Sequence, residues 1–170
     1  MHSLQLAIGD KAPDFVLPNQ DREPIQLSLE LARQPVVLVF FPAAFSRVCT
    51  KEMCTFRDSF EELDVLPVKV LGISIDTFFS LKAWAAHEQF RFPLLSDFNK
   101  EVIAKYGVWN DDLYGMKGVA QRAVFLIDQL GVIRFIEILQ DPTQEPNYTV
   151  LREAIETLLA KLRSTSKRAP

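Results

Sequence analysis

At positions 36–49 the chain reads Val36-Val37-Leu38-Val39-Phe40-Phe41-Pro42-Ala43-Ala44-Phe45-Ser46-Arg47-Val48-Cys49. The first six residues are continuously apolar, which is typical of a strand covered on both faces of a sheet. Pro42 ends this run. Cys49 then opens a segment in which Met53, Phe56 and Phe60 recur at three- and four-residue steps, as on one face of an amphipathic helix. The sequence therefore predicts a buried strand, a turn and a helix, with a cysteine where the helix begins.

The remaining patterns predict an α/β fold with one central sheet. Periodicity and turn residues indicate helices at 49–66, 80–89, 99–106 and 148–162, strands at 68–75, 123–127 and 132–138, and irregular segments at 110–118 and 141–147. A β-α-β unit followed by helices and then β-β-α implies a mixed sheet flanked by helices on both faces. We expect residues 1–162 to form a single domain and the polar residues 163–170 to form a flexible tail.

Composition limits the kinds of partner that this chain is expected to bind. With 170 residues, of which 48% are hydrophobic, the chain has enough apolar side chains for one compact domain but is short for two. Lys and Arg total 19 against 22 Asp and Glu, and the basic residues form no patch. We therefore expect neither a nucleic acid nor an anionic membrane as partner.

The sequence also predicts a cytoplasmic location. Residues 1–9 lack both a basic leader and an apolar stretch of signal-peptide length, and no run approaches the roughly 18 apolar residues of a membrane span. Reducing compartments keep thiols free, so we expect the two cysteines of such a chain to be catalytic or redox-sensing and not to form a structural disulfide.

The position of Cys49 favours a negatively charged sulfur. Free backbone N–H groups and the positive end of the helix dipole meet at the start of a helix. The thiolate is the nucleophilic form of cysteine. The alternative is that Cys49 only continues the buried apolar stripe as a small, inert side chain. Position alone leaves both interpretations open.

The neighbours of Cys49 carry a family resemblance. Residues 41–52 read Phe41-Pro42-Ala43-Ala44-Phe45-Ser46-Arg47-Val48-Cys49-Thr50-Lys51-Glu52. This segment resembles the active-site signature of the peroxiredoxins: a proline, three residues, Thr or Ser, two residues and Cys. Two further segments, Gly9-Asp10-Lys11-Ala12-Pro13-Asp14-Phe15 and Phe92-Pro93-Leu94-Leu95-Ser96-Asp97, are similar to the same family. The resemblance implies a thioredoxin-like fold and a thiol peroxidase that uses no cofactor or metal.

The resemblance also implies roles for individual residues. Cys49 is the peroxidatic nucleophile, Pro42 shields its sulfur from water, and Ser46 hydrogen-bonds the peroxide and the thiolate. Arg122 reaches across to the cysteine and Glu52 orients this arginine. Each has a simpler interpretation from the sequence alone: Ser46 as an ordinary N-cap, Glu52 as a solvated acid in the first turn, and Arg122 as a charge at a strand edge.

Cys54 is the candidate for resolving an oxidised Cys49, since a sulfenic acid condenses readily with a second thiol. Five residues along an ideal helix separate the two Cα atoms by about 8 to 9 Å. A disulfide tolerates at most about 7 Å. The pair cannot close while the helix is intact, so resolution requires the first turn or two to unwind. The alternative is that Cys54 is a passive helical thiol.

The sequence resembles two subgroups of the family. The five-residue cysteine spacing is similar to the bacterioferritin comigratory protein type. The sequence of the active-site segment and the stretch Gly118-Val119-Ala120-Gln121-Arg122-Ala123-Val124-Phe125 are closer to the alkyl hydroperoxide reductase E type. The first type implies a thioredoxin-like reductant. The second implies a one-cysteine peroxidase recycled by a low-molecular-weight thiol or a glutaredoxin-like partner.

Other functions use the same residues. A thioredoxin-like disulfide exchanger would present Cys-x-x-Cys, whereas four residues separate this pair. A copper or other metal module could use Cys49, Met53 and Cys54, but no histidine lies nearby. A peroxide-sensing redox relay would use the same two cysteines as a scavenger. The resemblance further implies a homodimer formed through aromatic loops near the active site.

Overall fold

The computed structural model describes residues 5–60 and 67–166. Its strands are β1 (Val16–Pro18), β2 (Pro24–Gln26), β3 (Val36–Phe40), β4 (Lys69–Ser74), β5 (Leu94–Ser96), β6 (Trp109–Asn110), β7 (Val119–Ala120), β8 (Ala123–Ile127) and β9 (Ile133–Ile138). Its helices are α1 (Leu27–Leu31), α2 (Arg47–Phe60), α3 (Phe78–Glu88), α4 (Glu101–Lys105) and α5 (Tyr148–Ser166). In this described part of the chain, no helix is both long enough and apolar enough to cross a lipid bilayer.

A five-stranded sheet in the order β5-β4-β3-β8-β9 forms the centre of the described residues. β3 pairs in parallel with β4 and antiparallel with β8. β4 and β5 are parallel, whereas β8 and β9 form an antiparallel hairpin. The sheet is therefore mixed, which confirms the predicted architecture. β1 with β2 and β6 with β7 form two small antiparallel pairs outside it.

Side chains of β3 alternate between two hydrophobic clusters on opposite faces of the sheet. Val37 and Val39 belong to one cluster, and Val36, Leu38 and Phe40 belong to the other. The first cluster contains Met53 and Phe56 of α2, Leu81 and Trp84 of α3, and Leu151 and Ile155 of α5; the second contains Leu27 and Leu31 of α1, and Val102 and Ile103 of α4. Successive strand residues point to opposite faces, so helices cover both faces of the sheet, as predicted.

Several predicted boundaries differ from the observed ones. α2 begins at Arg47, before the predicted start at Cys49, and the predicted helical residues 61–66 lie outside the described part of the chain. α5 continues through Ser166, so residues 163–166 extend the helix instead of starting the tail. Residues 167–170 of the predicted tail lie outside the described residues, and the single domain spanning 1–162 stays a prediction. The predicted loop at 110–118 joins the short strands β6 and β7.

The pairing of β3 with β8 brings together two distant parts of the sequence. Phe40, at the end of β3, lies opposite Ala123, at the start of β8. The residues that follow β3 and the residue that precedes β8 therefore share one edge of the sheet. α2, with Cys49 in its first turn, begins after β3, and Arg122 directly precedes β8. The antiparallel register thus predicts that Cys49 and Arg122 lie close together.

Candidate active site

Cys49 lies in the first turn of α2, and its side chain is 1% exposed. The first turn is closed by the backbone N–H of Thr50, which donates to the carbonyl oxygen of Ser46 at 2.8 Å. N–H groups in a first helical turn lack carbonyl partners within the helix. Together with the helix dipole they favour a negative charge on the cysteine sulfur. Cys49 thus occupies the helix N-terminus that the sequence predicts.

The loop that leads into α2 is fixed by contacts with the end of β4. The backbone N–H of Ala44 donates to Asp76 Oδ2 at 2.8 Å, and the hydroxyl of Ser74 donates to the same oxygen at 2.7 Å. Phe45 adopts a positive φ of 62°, which is unfavourable for a residue with a side chain. Its ring packs against Trp84 at a centroid distance of 6.2 Å. These contacts hold the backbone in the shape that presents Cys49.

Arg122 reaches the sulfur of Cys49 from the neighbouring strand. Its Nη2 donates to Cys49 Sγ at 3.5 Å and to the carbonyl oxygen of Pro142 at 3.1 Å, and its Nη1 donates to Glu52 Oε2. The side chain is 2% exposed. Burial would lower the pKa of Arg122, but the Glu52 carboxylate and the Cys49 sulfur raise it. The guanidinium is therefore a fixed positive charge beside the sulfur.

Glu52 lies in the second turn of α2 and is fully buried against Arg122. Burial raises the pKa of Glu52 to about 8, because the loss of water outweighs the attraction of Arg122. Its Oε1 has no hydrogen-bond partner among the described residues, so Arg122 is its anchor. The predicted alternative of a solvated acid is wrong. One guanidinium thus faces two acidic groups, Glu52 and Cys49, and can neutralise one negative charge.

Pro42 and Ser46 lie in the loop between β3 and α2. Pro42 is buried directly after the buried Phe41. Ser46 is partly exposed, and its Oγ forms no hydrogen bond with any residue of the described part of the chain. No hydrogen bond joins Ser46 to the Cys49 sulfur among the described residues. The hydroxyl remains available to a ligand, and its role stays a prediction.

Cys54 lies on a different side of α2 from Cys49. Its Sγ donates to Glu88 Oε2, at the end of α3, at 3.5 Å. Both cysteines are free thiols. Burial and then the carboxylate of Glu88 raise the pKa of Cys54, while Arg57 opposes this shift. The two sulfurs have different partners, Arg122 for one and Glu88 for the other, which argues against a metal site that joins them.

Comparison with known proteins decides the family. The family model of the AhpC/TSA family matches residues 8–136. The chain belongs to the AhpC/TSA family. This result confirms the resemblance to the peroxiredoxins, and with it a thiol-dependent peroxidase of thioredoxin-like fold.

Relatives of known sequence and structure cover most of this peroxiredoxin. Alkyl hydroperoxide reductase E of Mycobacterium bovis is 36% identical over 157 residues, which are 91% of this chain and 99% of the relative. A chloroplastic 2-cysteine peroxiredoxin of Chattonella marina var. antiqua is 38% identical over 141 residues, 77% of this chain and 70% of the relative. The crystal structure of peroxidoxin BcpB from Mycobacterium tuberculosis superposes with a TM-score of 0.78 at 34% identity, covering 92% of this chain and 98% of that one.

Some site residues of this peroxiredoxin were not found from the sequence. Pro142 contributes a backbone carbonyl to Arg122, so no side-chain pattern could reveal it. Tyr148 packs edge-on against Phe56 at 5.6 Å and donates its hydroxyl to Glu145 at 3.0 Å. Burial raises the pKa of Tyr148 far above its usual range, so this hydroxyl stays protonated. The segment between β9 and α5 therefore covers the arginine side of the site.

Proposed function

We propose that this peroxiredoxin reduces hydrogen peroxide and alkyl hydroperoxides through Cys49. The observation that supports this assignment best is the contact of 3.5 Å between Arg122 Nη2 and Cys49 Sγ in a buried site. A fixed guanidinium favours the thiolate and binds the oxygen that becomes anionic as the O–O bond breaks. No other cysteine of this chain has a cation at its sulfur and a helix N-terminus beneath it.

The first step is a two-electron displacement. The Cys49 thiolate attacks one peroxide oxygen, the S–O bond forms and the O–O bond breaks. The leaving oxygen departs as hydroxide or alkoxide and takes up a proton to give water or an alcohol. Cys49 becomes a sulfenic acid. Arg122 lies beside the sulfur and is oriented by Glu52 and the carbonyl of Pro142, so its charge is in place before the reaction begins.

Pro42 and Ser46 complete the proposed site. The buried ring of Pro42 offers no N–H and excludes water from the sulfur. The unpaired hydroxyl of Ser46 donates to the bound peroxide. A serine hydroxyl can accept one hydrogen bond while it donates another, so the same group can hold both the substrate and the reacting sulfur.

Cys54 resolves the sulfenic acid by forming a disulfide with Cys49, and a thioredoxin-like protein reduces that disulfide. The helix must open first, because the spacing of the two residues on α2 exceeds the reach of a disulfide. A second candidate is a one-cysteine peroxidase recycled by an external thiol. The contact of Cys54 with Glu88, away from Cys49, favours this second candidate.

Rapid mixing of the reduced protein with peroxide separates these functions. Wild type and Cys54→Ser should form the Cys49 sulfenic acid at equal rates, whereas Cys49→Ser should not react. Only wild type should turn over with a thioredoxin-like reductant if Cys54 resolves. Full turnover of Cys54→Ser with that reductant would favour the one-cysteine mechanism, and turnover of Cys49→Ser would remove the central assignment. Mixed disulfides with client proteins in cells would point to a peroxide-sensing relay.

A homodimer and a cytoplasmic location are also part of the proposal. Phe79 and Phe98 are 70% and 61% exposed and line an apolar cleft of about 420 Å³ together with Val16. Large exposed apolar patches mark interaction surfaces. Light scattering of wild type should give the mass of a dimer and Phe79→Asp that of a monomer, while Leu130→Asp, exposed elsewhere, should stay dimeric. Two free thiols fit a reducing compartment.

A further inference from the structure

Cys54 is held by a carboxylate that is itself held in place. Glu88 Oε2 accepts from Cys54 Sγ at 3.5 Å, and its Oε1 contacts His87 Nδ1 at 3.0 Å. The backbone carbonyl of Glu88 accepts from Arg57 Nη1 at 2.5 Å, which ties the end of α3 to α2 one turn beyond the cysteine. The Glu88 side chain is 19% exposed, so solvent reaches this contact only in part.

The two thiols of α2 therefore form hydrogen bonds with groups of opposite charge. A cation contacts Cys49, whereas an anion contacts Cys54. A carboxylate that accepts from S–H stabilises the protonated thiol and opposes the thiolate. Burial of Cys54 acts in the same direction and raises the pKa of Cys54 most, while the charge of Arg57 opposes both. Since only the thiolate attacks another sulfur, Cys54 is a poor nucleophile for as long as it contacts Glu88.

We propose that Glu88 is a positioning residue for the resolving step: its carboxylate holds the Cys54 thiol against α3, and release of this contact sets the rate at which the Cys49–Cys54 disulfide forms. The inference rests on the proposed resolving role of Cys54. It adds a second barrier to the unwinding of α2, because the thiol must leave α3 as well as approach Cys49. The contact also directs the first oxidation to Cys49.

The chemical step that follows release needs no further oxidant. Cys54 loses its proton to solvent, and the thiolate attacks the sulfur of the Cys49 sulfenic acid. The S–S bond forms and the S–O bond breaks. The hydroxide that leaves takes up a proton and becomes water.

Other charged groups surround Cys54, so the test needs a matched control. Arg57 and Asp58 lie on α2 and line a surface cleft together with Arg91, and His87 contacts the carboxylate of Glu88. Asp58 carries a carboxylate near Cys54 without bonding its sulfur, because its oxygens accept from Arg57. Asp58→Asn therefore removes one negative charge from this surface and leaves the sulfur contact intact.

The experiment compares wild type, Glu88→Gln, Glu88→Ala and Asp58→Asn. Each reduced protein is mixed with one equivalent of hydrogen peroxide, quenched with acid at intervals and analysed by mass spectrometry, so that sulfenic acid and disulfide are followed separately. We expect the disulfide to form roughly three- to tenfold faster in both Glu88 variants, the factor associated with one modest hydrogen bond. Asp58→Asn should stay within about twofold of wild type. Circular dichroism checks that every variant is folded.

A second measurement reports on the thiol itself. In a Cys49→Ser background, the rate at which iodoacetamide alkylates Cys54 is measured against pH. Glu88→Gln should move the half-maximal rate to lower pH, because it removes the neighbouring negative charge but keeps an oxygen acceptor. A purely structural role of Glu88 would leave this profile unchanged.

The outcomes separate this inference from the proposed function. Equal disulfide rates in wild type and Glu88→Gln, or an equal acceleration in Asp58→Asn, would overturn the role of Glu88 alone. A wild-type protein whose Cys49 reacts with peroxide but never bonds Cys54 would overturn this inference together with the resolving role, and would leave the peroxidase assignment standing. An unreactive Cys49 would refute the proposed function and the resolving step with it, and the alkylation profile would then show only whether Glu88 raises the pKa of Cys54.

Discussion

Replacing Arg122 with glutamine tests how much the buried guanidinium contributes to peroxide reduction. Two unit charges 3.5 Å apart, the distance from Arg122 Nη2 to Cys49 Sγ, interact by about 4.7 kcal/mol at an effective dielectric constant of about 20. The same guanidinium also donates to Glu52 and to the carbonyl of Pro142, so we assign roughly half of this energy, about 2 to 3 kcal/mol, to the sulfur. That loss corresponds to a rate roughly 30 to 150 times lower at neutral pH.

The assay is the second-order rate constant of sulfenic acid formation, measured by stopped flow under single-turnover conditions. Arg134→Gln is the matched control, because Arg134 pairs with Asp128, the residue that follows β8, and is 44% exposed. It should react at the wild-type rate. Without Arg122, burial keeps Glu52 protonated, so the variant is expected to fold without a buried unpaired charge. A loss below about threefold in a folded Arg122→Gln protein would refute the electrostatic account of this site.

Three further predictions concern stability and helix opening. Burial raises the pKa of Glu52 to about 8, above its value in the unfolded chain, so the folded state loses stability as pH rises towards 8. In a Cys49→Ser background, the free energy of unfolding measured with urea should fall between about pH 5.5 and 7.5. The fall should be steeper with Glu52 than with Glu52→Gln by up to about 1.4 kcal/mol per pH unit, and equal slopes would contradict this. Oxidation to a Cys49–Cys54 disulfide should lower the helical signal in far-ultraviolet circular dichroism, because the first turn or two of α2 must unwind; a complete disulfide with an unchanged spectrum would show that the helix stays closed. Gly72→Ala should destabilise the fold by about 1 to 3 kcal/mol in urea denaturation, since a Cβ there would lie 2.7 Å from Met53 Cε and 2.8 Å from Leu94 Cδ2; a change under about 0.5 kcal/mol would mean that both side chains move aside freely.

Long, strongly patterned segments of this fold are predictable from the sequence. The run that begins at Val36 is entirely apolar, which predicts a strand buried on both faces, and β3 is indeed buried along its whole length. By contrast, β1, β2 and β5 were missed. Each is three residues long, too short for a period of two to be recognised, and Pro18 and Pro24 suggest turns instead of strands. α1, with five residues, was missed for the same reason.

The site was only partly predictable for a different physical reason. Cys49 can be found locally, because a buried strand, a turn and a helix follow one another in the sequence. Arg122 is 73 residues away, and the family resemblance alone pointed to it. Nothing local distinguishes Glu52 from a solvated acid, since the side chains that surround it, Arg122 among them, are distant in the sequence. The contact between Cys54 and Glu88 depends on how α2 packs against α3, and no periodic pattern encodes it.

The pairing of Phe40 with Ala123 has a consequence for protein synthesis. Until the ribosome has added the 73 residues that follow Cys49, the last of which is Arg122, the emerging polypeptide carries a thiol with no guanidinium beside it. We expect rapid oxidation by peroxide to begin only when β8 has paired with β3 and has brought Arg122 to the sulfur. On this account a chain still being made would be less prone to oxidation at the sulfur on which its later reaction depends.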